Sequence, residues 1–329
     1  MDMHYTKLGR TGLDVSVAGL GCGGNSRLGL GRGKSDEDAV HLVQAARELG
    51  ITFFDTAEVY ETEHILGSAF TPSERQKIVI STKSRIMRGA ERMTAAEVVA
   101  NLEASLKRLK TDCVDVFLFH GVAPRHYDYV ATELKPALLA EKAKGKLRFL
   151  GLSETSPNDP EQTMLQRALD DPDWQVMMLG FHMLNQGARR AIFPRTMKQG
   201  VGTLMMFVVR NIFSRPGLLA ETMRALAAEG KVPAGLAGRE NPLDFLLHPD
   251  GATSIIDAAY RFARHEPGSD VVLFGTSDVA HLRTNIASIL APPLPAADVG
   301  WLYQLFSHLR GVGLDLPDST KAQGKTGPS

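Results

Sequence analysis

Eight short apolar runs recur along the chain, and nothing else in it restricts the possible folds as tightly. They are VAGLGC (17–22), ITFFD (51–55), KIVIST (77–82), VDVFLFH (114–120), LRFLGLS (147–153), VMMLGF (176–181), GTLMMFVV (202–209) and DVVLFG (270–275). Each is rich in β-branched, aromatic or long aliphatic residues and lacks period-two alternation, which is how a strand covered on both faces reads. Between them lie helical patterns with recognisable ends. SDEDAVHLVQAARELG (35–50) opens on Ser-Asp, carries acids in its first turn and closes on glycine. TAAEVVANLEASLKRL (94–109) has Thr94 and Glu97 at capping-box spacing. Segments 128–146, 159–171 and 278–290 also have helical spacing. Strand-like runs alternating with helices predict a parallel sheet, and eight such units are the count of a closed (β/α)8 TIM barrel, an α/β fold. The stretch 214–268 is longer than one barrel helix needs, so an inserted loop and helix are expected before the last strand. A C-terminal helix follows, and the polar tail 317–329 is expected to be disordered. Residues 1–316 are then a single domain.

Charge and cysteine content narrow the function classes. Lys plus Arg and Asp plus Glu both number 37, so the chain has no electrostatic footprint for nucleic acid. The two cysteines, Cys22 and Cys113, form no closely spaced pair and read as buried thiols in a reducing compartment. The polar start MDMHYTKLGR is unlike a signal sequence, and the longest apolar stretches are too short to span a bilayer. A cytoplasmic protein with no membrane partner is expected. Oligomeric state leaves no mark in the sequence.

In a parallel barrel, chemistry gathers at the C-terminal ends of the strands. The second run ends in Asp55, with Tyr60 in the loop beyond; the third gives Lys83, the fourth His120, the fifth Ser153 and Glu154. Taken singly, each is commonplace. Together they form a coherent acid-base set. A phenol with a pKa of about 10 is made easier to ionise by a neighbouring ammonium. Asp55 would hold that ammonium in place, which also explains an acid at the end of an apolar run. A histidine could orient a carbonyl while the phenol protonates the oxygen. Hydride reduction of an aldehyde or ketone by a nicotinamide needs such a set. His120 and His182 fit no compact metal motif, and a cation beside Lys83 would be repelled, so no metal is expected. Methionines 177, 178, 205 and 206 form pairs, of which one member each can point inward.

These residues sit in a wider pattern. FFDTAEVY, the ISTK strand end, EASLKRLKTDCVDVFLFH and GKLRFLGLS occur in an order and separation that resemble the aldo-keto reductase superfamily, from KLGRTGLDVSVAGLGCGG to FGTSDVAHLRTNIASI. The resemblance implies a (β/α)8 barrel that binds an extended nicotinamide cofactor without a Rossmann domain. By position it implies Tyr60 as general acid-base, Lys83 and Asp55 as its tuning pair, and His120 as the group that positions the carbonyl. It implies that Gly21, Cys22, Gly23 and Asp55 line the cofactor channel. Ser153 would touch the nicotinamide carboxamide.

Several positions depart from the family pattern. Glu154 stands where asparagine is usual, and Leu179 where a glutamine often serves the carboxamide. Met206, with Phe207 beside it, takes the place of an aromatic that stacks on the nicotinamide. Phe207, Val208 and Val209 replace Ser-Pro-Leu, with Arg210 beyond. Gly275, Ser277 and Asn285 are kept in the phosphate and adenosine region, but His281 and Thr284 replace a common Gln or Arg and a common Glu. Glu61 follows Tyr60 where glycine is usual. Arg210, Arg215, His281 and Arg283 are the candidate cations for a 2′-phosphate, and NADP(H) is favoured over NAD(H). The expected partner is a small carbonyl or alcohol substrate. The competing expectation is a non-catalytic, nucleotide-sensing or partner-binding barrel, raised by Glu154, Leu179 and Met206.

Overall fold

The computed structural model describes residues 2–315, so the expected tail at 317–329 lies outside the described residues. Eight parallel strands close on themselves in chain order: Ala18–Gly21, Phe53–Asp55, Val79–Arg85, Val114–Val122, Leu147–Glu154, Val176–Gly180, Gly202–Met206 and Val271–Phe274. The last pairs with the first, Val272 opposite Ala18, and completes the barrel. Each expected strand run supplies one of them.

Two separate apolar layers result, because side chains alternate between the faces of a strand. The inner layer contains Phe53, Val79, Val116, Leu118, Val176, Met178, Leu204, Val271 and Leu273. Its lower end is stopped by an antiparallel hairpin, Tyr5–Lys7 with Asp14–Ser16, whose neighbours Leu8 and Leu13 enter the same cluster. The outer layer joins the barrel to its helices and contains Leu20, Phe54, Phe117, Phe119, Met177, Leu179 and Met205. Of the methionine pairs, Met178 is therefore inward, with Met206 packed against the inner layer, while Met177 and Met205 face the helices.

Helix ends follow their sequence signals closely. Asp36–Glu48 is capped by Ser35 and Ala95–Leu109 by Thr94, each with a reciprocal capping box. Two segments come out shorter than expected. The helix within 159–171 spans Thr163–Ala168, because the Asp159 carboxylate accepts from the Thr163 and Met164 amides and fixes the start there. The seventh strand stops at Met206, because Phe207 turns to a left-handed backbone (φ 64°). Before the last strand the insertion is present, with helices Leu218–Ala228 and Ala234–Ala237 ahead of Ile255–Arg264. The C-terminal helix is Ala296–Phe306. No helix among the described residues is long and apolar enough to cross a membrane.

Candidate active site

The strand ends bring Asp55, Tyr60, Lys83 and His120 to one mouth. Lys83 is fully buried, and its ammonium donates to Asp55 Oδ1, Asp55 Oδ2 and the carbonyl of Thr56, each at 2.7 Å. An ammonium has three hydrogens, so these contacts use its whole donor capacity. The Asp55 burial problem is solved by this pairing, and so is that of Lys83. Burial works against the ammonium, but Asp55 and Tyr60 outweigh it and hold Lys83 above its ordinary pKa. Burial pushes the Asp55 carboxyl up, against the pull of Lys83. The Lys83 Nζ lies 5.0 Å from the centre of the Tyr60 ring. It acts on that ring through its field.

Tyr60 Oη and His120 Nε2 are 3.2 Å apart, and their rings meet edge to face with centroids 5.4 Å apart. Both residues are partly exposed at the mouth. Burial, then Lys83 and Arg85, pull His120 down to a pKa of about 3. The imidazole is neutral across the working range and is not a proton reservoir. Burial raises the Tyr60 phenol, and Lys83 only partly opposes it. This reverses the sequence-based expectation of a lowered value: desolvation, which the sequence does not display, is the larger effect. The phenol is thus a proton donor that stays loaded. Behind the site, Glu63 accepts from Thr82 Oγ1 (2.5 Å) and Arg108 Nε (2.7 Å), tying the third strand to two helices.

The remaining expected residues divide into two groups. Gly21 ends the first strand, and Cys22 and Gly23 follow it. Gly23 fits directly beneath Tyr60, where a Cβ would lie 2.5 Å from ring Cε2. Cys22 joins the outer apolar layer and is fully buried; it offers the mouth no side chain, and its amide donates to the Asp55 carbonyl (2.8 Å). Cys113 is half-buried rather than buried. Ser153 and Glu154 are both buried at the end of the fifth strand. Glu154 Oε1 accepts from Ser156 Oγ (2.6 Å), the Gly180 amide (2.7 Å) and Gln162 Nε2 (3.3 Å), whereas Oε2 is buried with no partner. Burial, opposed by these three donors, lifts the carboxyl to a pKa of about 7. Leu179 faces the outer layer. Val176 and Met178 are the inward residues of this strand, and Met178 is level with Ser153 across the sheet, so the position an inward glutamine would take beside Ser153 is Met178.

Around the seventh strand, the Phe207 ring lies under the Arg210 guanidinium, 4.7 Å away. Arg210 also binds the Asp315 main-chain carbonyl and carboxylate, and Asn211 donates to the same carboxylate (2.7 Å). The C-terminal segment is thereby drawn to this side of the mouth, with Leu314 near Gly180. The link between Arg210 and Asp315 has no sequence signal. At the eighth strand, Gly275 lies against Ser26 and the Gly21 carbonyl, and Ser277 is buried. His281 is exposed and Asn285 half-buried on Val279–Leu290, as are the exposed Arg283 and, on the seventh-strand side, Arg215. The start of that helix is already satisfied, because Asp278 accepts from the Ala280 and His281 amides. An anion there must share those donors with a carboxylate. Sequence reasoning missed Lys34, which the first loop carries across to donate to the Ser277 carbonyl (2.6 Å). Among the described residues, no group of three or more His, Cys, Asp or Glu could hold a metal.

The chain belongs to the Aldo/keto reductase family, whose pattern matches residues 19–305, and this places it among oxidoreductases; members of the family generally use nicotinamide cofactors. It is 30% identical over 203 residues to L-galactose dehydrogenase from Arabidopsis thaliana, a match covering 60% of this chain and 62% of that protein. In backbone it resembles the holo and apo forms of the aldo-keto reductase AKR11C1 from Bacillus halodurans, with TM-scores of 0.70 and 0.69. Each comparison covers 95% of this chain and 100% of the other, at 22% identity, and so speaks to the fold alone.

Proposed function

We propose that this protein transfers hydride between a nicotinamide cofactor and a small carbonyl or alcohol, an aldehyde, ketone or sugar, with Tyr60 as general acid-base. The observation that carries the reading is the 3.2 Å contact between Tyr60 Oη and His120 Nε2 above a buried Lys83–Asp55 pair. A carbonyl oxygen placed beside the pair, within reach of both atoms, meets a neutral imidazole that can donate from Nε2 and a phenol that can give up its proton. As the oxygen gains negative charge, Tyr60 protonates it, and the fixed charge of Lys83 stabilises the phenolate left behind. The reverse direction uses the phenolate as base. Because Tyr60 keeps some exposure at the mouth, the proton can be restored from solvent.

The nicotinamide would supply or accept the hydride. Its pocket draws support from Ser153 and from Glu154 Oε2, a buried oxygen with no protein partner, which suits the amide of a carboxamide. NADP(H) is favoured, with Lys34, His281 and Arg283 as the nearby cations and Arg210 committed to Asp315. The partial similarity to a protein named L-galactose dehydrogenase makes aldoses the first substrates to try. A second reading, a barrel that binds nucleotide without turnover, rests on the same Glu154, a carboxyl where an amide is expected.

Fluorescence titration with NADPH and NADH separates the readings. Binding with turnover that Tyr60→Phe abolishes, at unchanged cofactor Kd, supports the reductase. Folded protein that binds neither nucleotide would sink it. Binding without turnover across aldehydes, ketones and aldoses favours the second reading.

A further inference from the structure

The loop after the first barrel strand reaches over the end of the second. Arg27, near its start, donates from Nε to the main-chain carbonyl of Tyr60 (2.8 Å) and from Nη2 to the carboxylate of Glu61 (2.6 Å). These acceptors belong to consecutive residues, and the second is in an unfavourable conformation. Glu61 has φ 55° and ψ 35°, the left-handed region. Glycine enters that region freely, whereas a side chain with a Cβ resists it. Arg27 (φ 43°) and Leu28 (φ 59°) are in the same region, so both sides of the contact are held away from their relaxed shapes.

The site leaves little slack for such a turn to relax. The Tyr60 ring rests on Gly23 at a distance that excludes even a methyl group. A rotation at Glu61 would turn the Tyr60 carbonyl plane and carry the phenol away from His120. A merely exposed ion pair is worth little, and the Glu61 side chain is 74% exposed. The bond to the Tyr60 carbonyl is of another kind: it is partly buried and fixes the residue that carries the phenol. The geometry points to Arg27 as a positioning residue, one that clamps the strained Tyr60–Glu61 turn so that the phenol stays at hydrogen-bond distance from His120. The inference rests on Tyr60 being the acid.

Wild type, Arg27→Ala, Glu61→Gly and the double variant test it, with NADPH and 4-nitrobenzaldehyde as probes. Glycine at 61 removes the strain and with it the need for a clamp. Arg27→Ala should lower kcat by about tenfold to a hundredfold, since a displacement of about 1 Å can cost about a hundredfold, while the NADPH Kd stays unchanged. Glu61→Gly should stay near the wild-type rate, and the double variant should recover most of the loss. Amide exchange at Tyr60–Thr62, which needs no substrate, should quicken in Arg27→Ala and be slowed again in the double variant. Equal losses of kcat in both backgrounds, or unchanged exchange in Arg27→Ala, would overturn the proposal. If Arg27→Ala folds poorly, Arg27→Lys keeps the charge but offers one nitrogen for two acceptors, and should show the same pattern more weakly. The two claims fail separately: an active Tyr60→Phe removes the acid assignment, whereas an inactive Tyr60→Phe with no Arg27–Glu61 coupling removes only the clamp.

Discussion

Lys83 stands 5.0 Å from the centre of the Tyr60 ring yet gives its three hydrogens to Asp55 and Thr56. The lysine therefore influences the phenol as a fixed charge, and the aspartate is what fixes it. In this site the ammonium is desolvated by the same walls that desolvate the phenol, so its field is little screened.

Removing the lysine should damage stability and activity together, and removing both charges should separate them. Lys83→Met leaves Asp55 buried and unpaired, a change expected to cost about 3–5 kcal/mol. Adding Asp55→Asn removes the stranded charge, so the double variant should regain much of that stability in urea unfolding. Its turnover should stay low, because no cation remains to stabilise the phenolate. A double variant as unstable as Lys83→Met alone would contradict the pairing.

The pH dependence follows from His120 and Tyr60. His120 is lowered to about 3, so it gains a proton only in strong acid and stays neutral from there upward. The Tyr60 phenol is raised above its ordinary value of 10.0 and stays protonated until alkaline pH. In Glu154→Gln, where no carboxyl titrates near 7, the reduction rate measured as kcat should be level from about pH 5 to 9 and fall only as the phenol ionises. Alcohol oxidation needs the phenolate and should rise over that same alkaline range. A break near 6.5, the ordinary histidine value, in that variant would show that the imidazole titrates.

The convergence of Asp55, Lys83 and His120 was legible in the sequence because each ends or directly follows an apolar run, with Tyr60 in the loop after Asp55, and the runs number eight. Other parts were not legible, for physical reasons. A run such as VMMLGF is apolar on both faces, so it carries no phase, and Leu179 and Met178 exchange roles with a one-residue slip. The bonds from Arg210 to Asp315 and from Arg27 to Tyr60 join loops distant in the chain, where periodicity says nothing. The direction of the Tyr60 shift depends on how much water the folded mouth excludes. The hold of the Asp278 carboxylate on the Ala280 and His281 amides comes only from the fold.

Glu154 should make the stability of the cofactor-free protein depend on pH. Its carboxyl is raised from 4.5 to about 7 in the folded chain, so the folded state holds the proton more tightly than the unfolded one. The resulting stability is fully present below the unfolded value and is lost as pH rises through about 7. Glu154→Gln has no proton to lose. Urea unfolding should show the variant gaining on the wild type by up to about 3 kcal/mol between pH 4.5 and 8. Parallel curves would place the Glu154 titration outside this range.

The phase of the sixth strand gives the sharpest test of the pocket's inner wall. Met178 faces the barrel interior beside Ser153, and Leu179 faces the helices. Glutamine at 178 would put an amide on the face where a nicotinamide carboxamide is proposed to lie, beside Ser153. Glutamine at 179 would bury an amide in an apolar layer, at a cost of about 1–3 kcal/mol. Met178→Gln should therefore tighten NADPH binding several-fold with a small change in Tm. Leu179→Gln should lower Tm and leave the Kd of the folded protein unchanged. If Leu179→Gln were the variant that tightened binding, the strand would be turned by one residue, and the inner wall as described would be wrong.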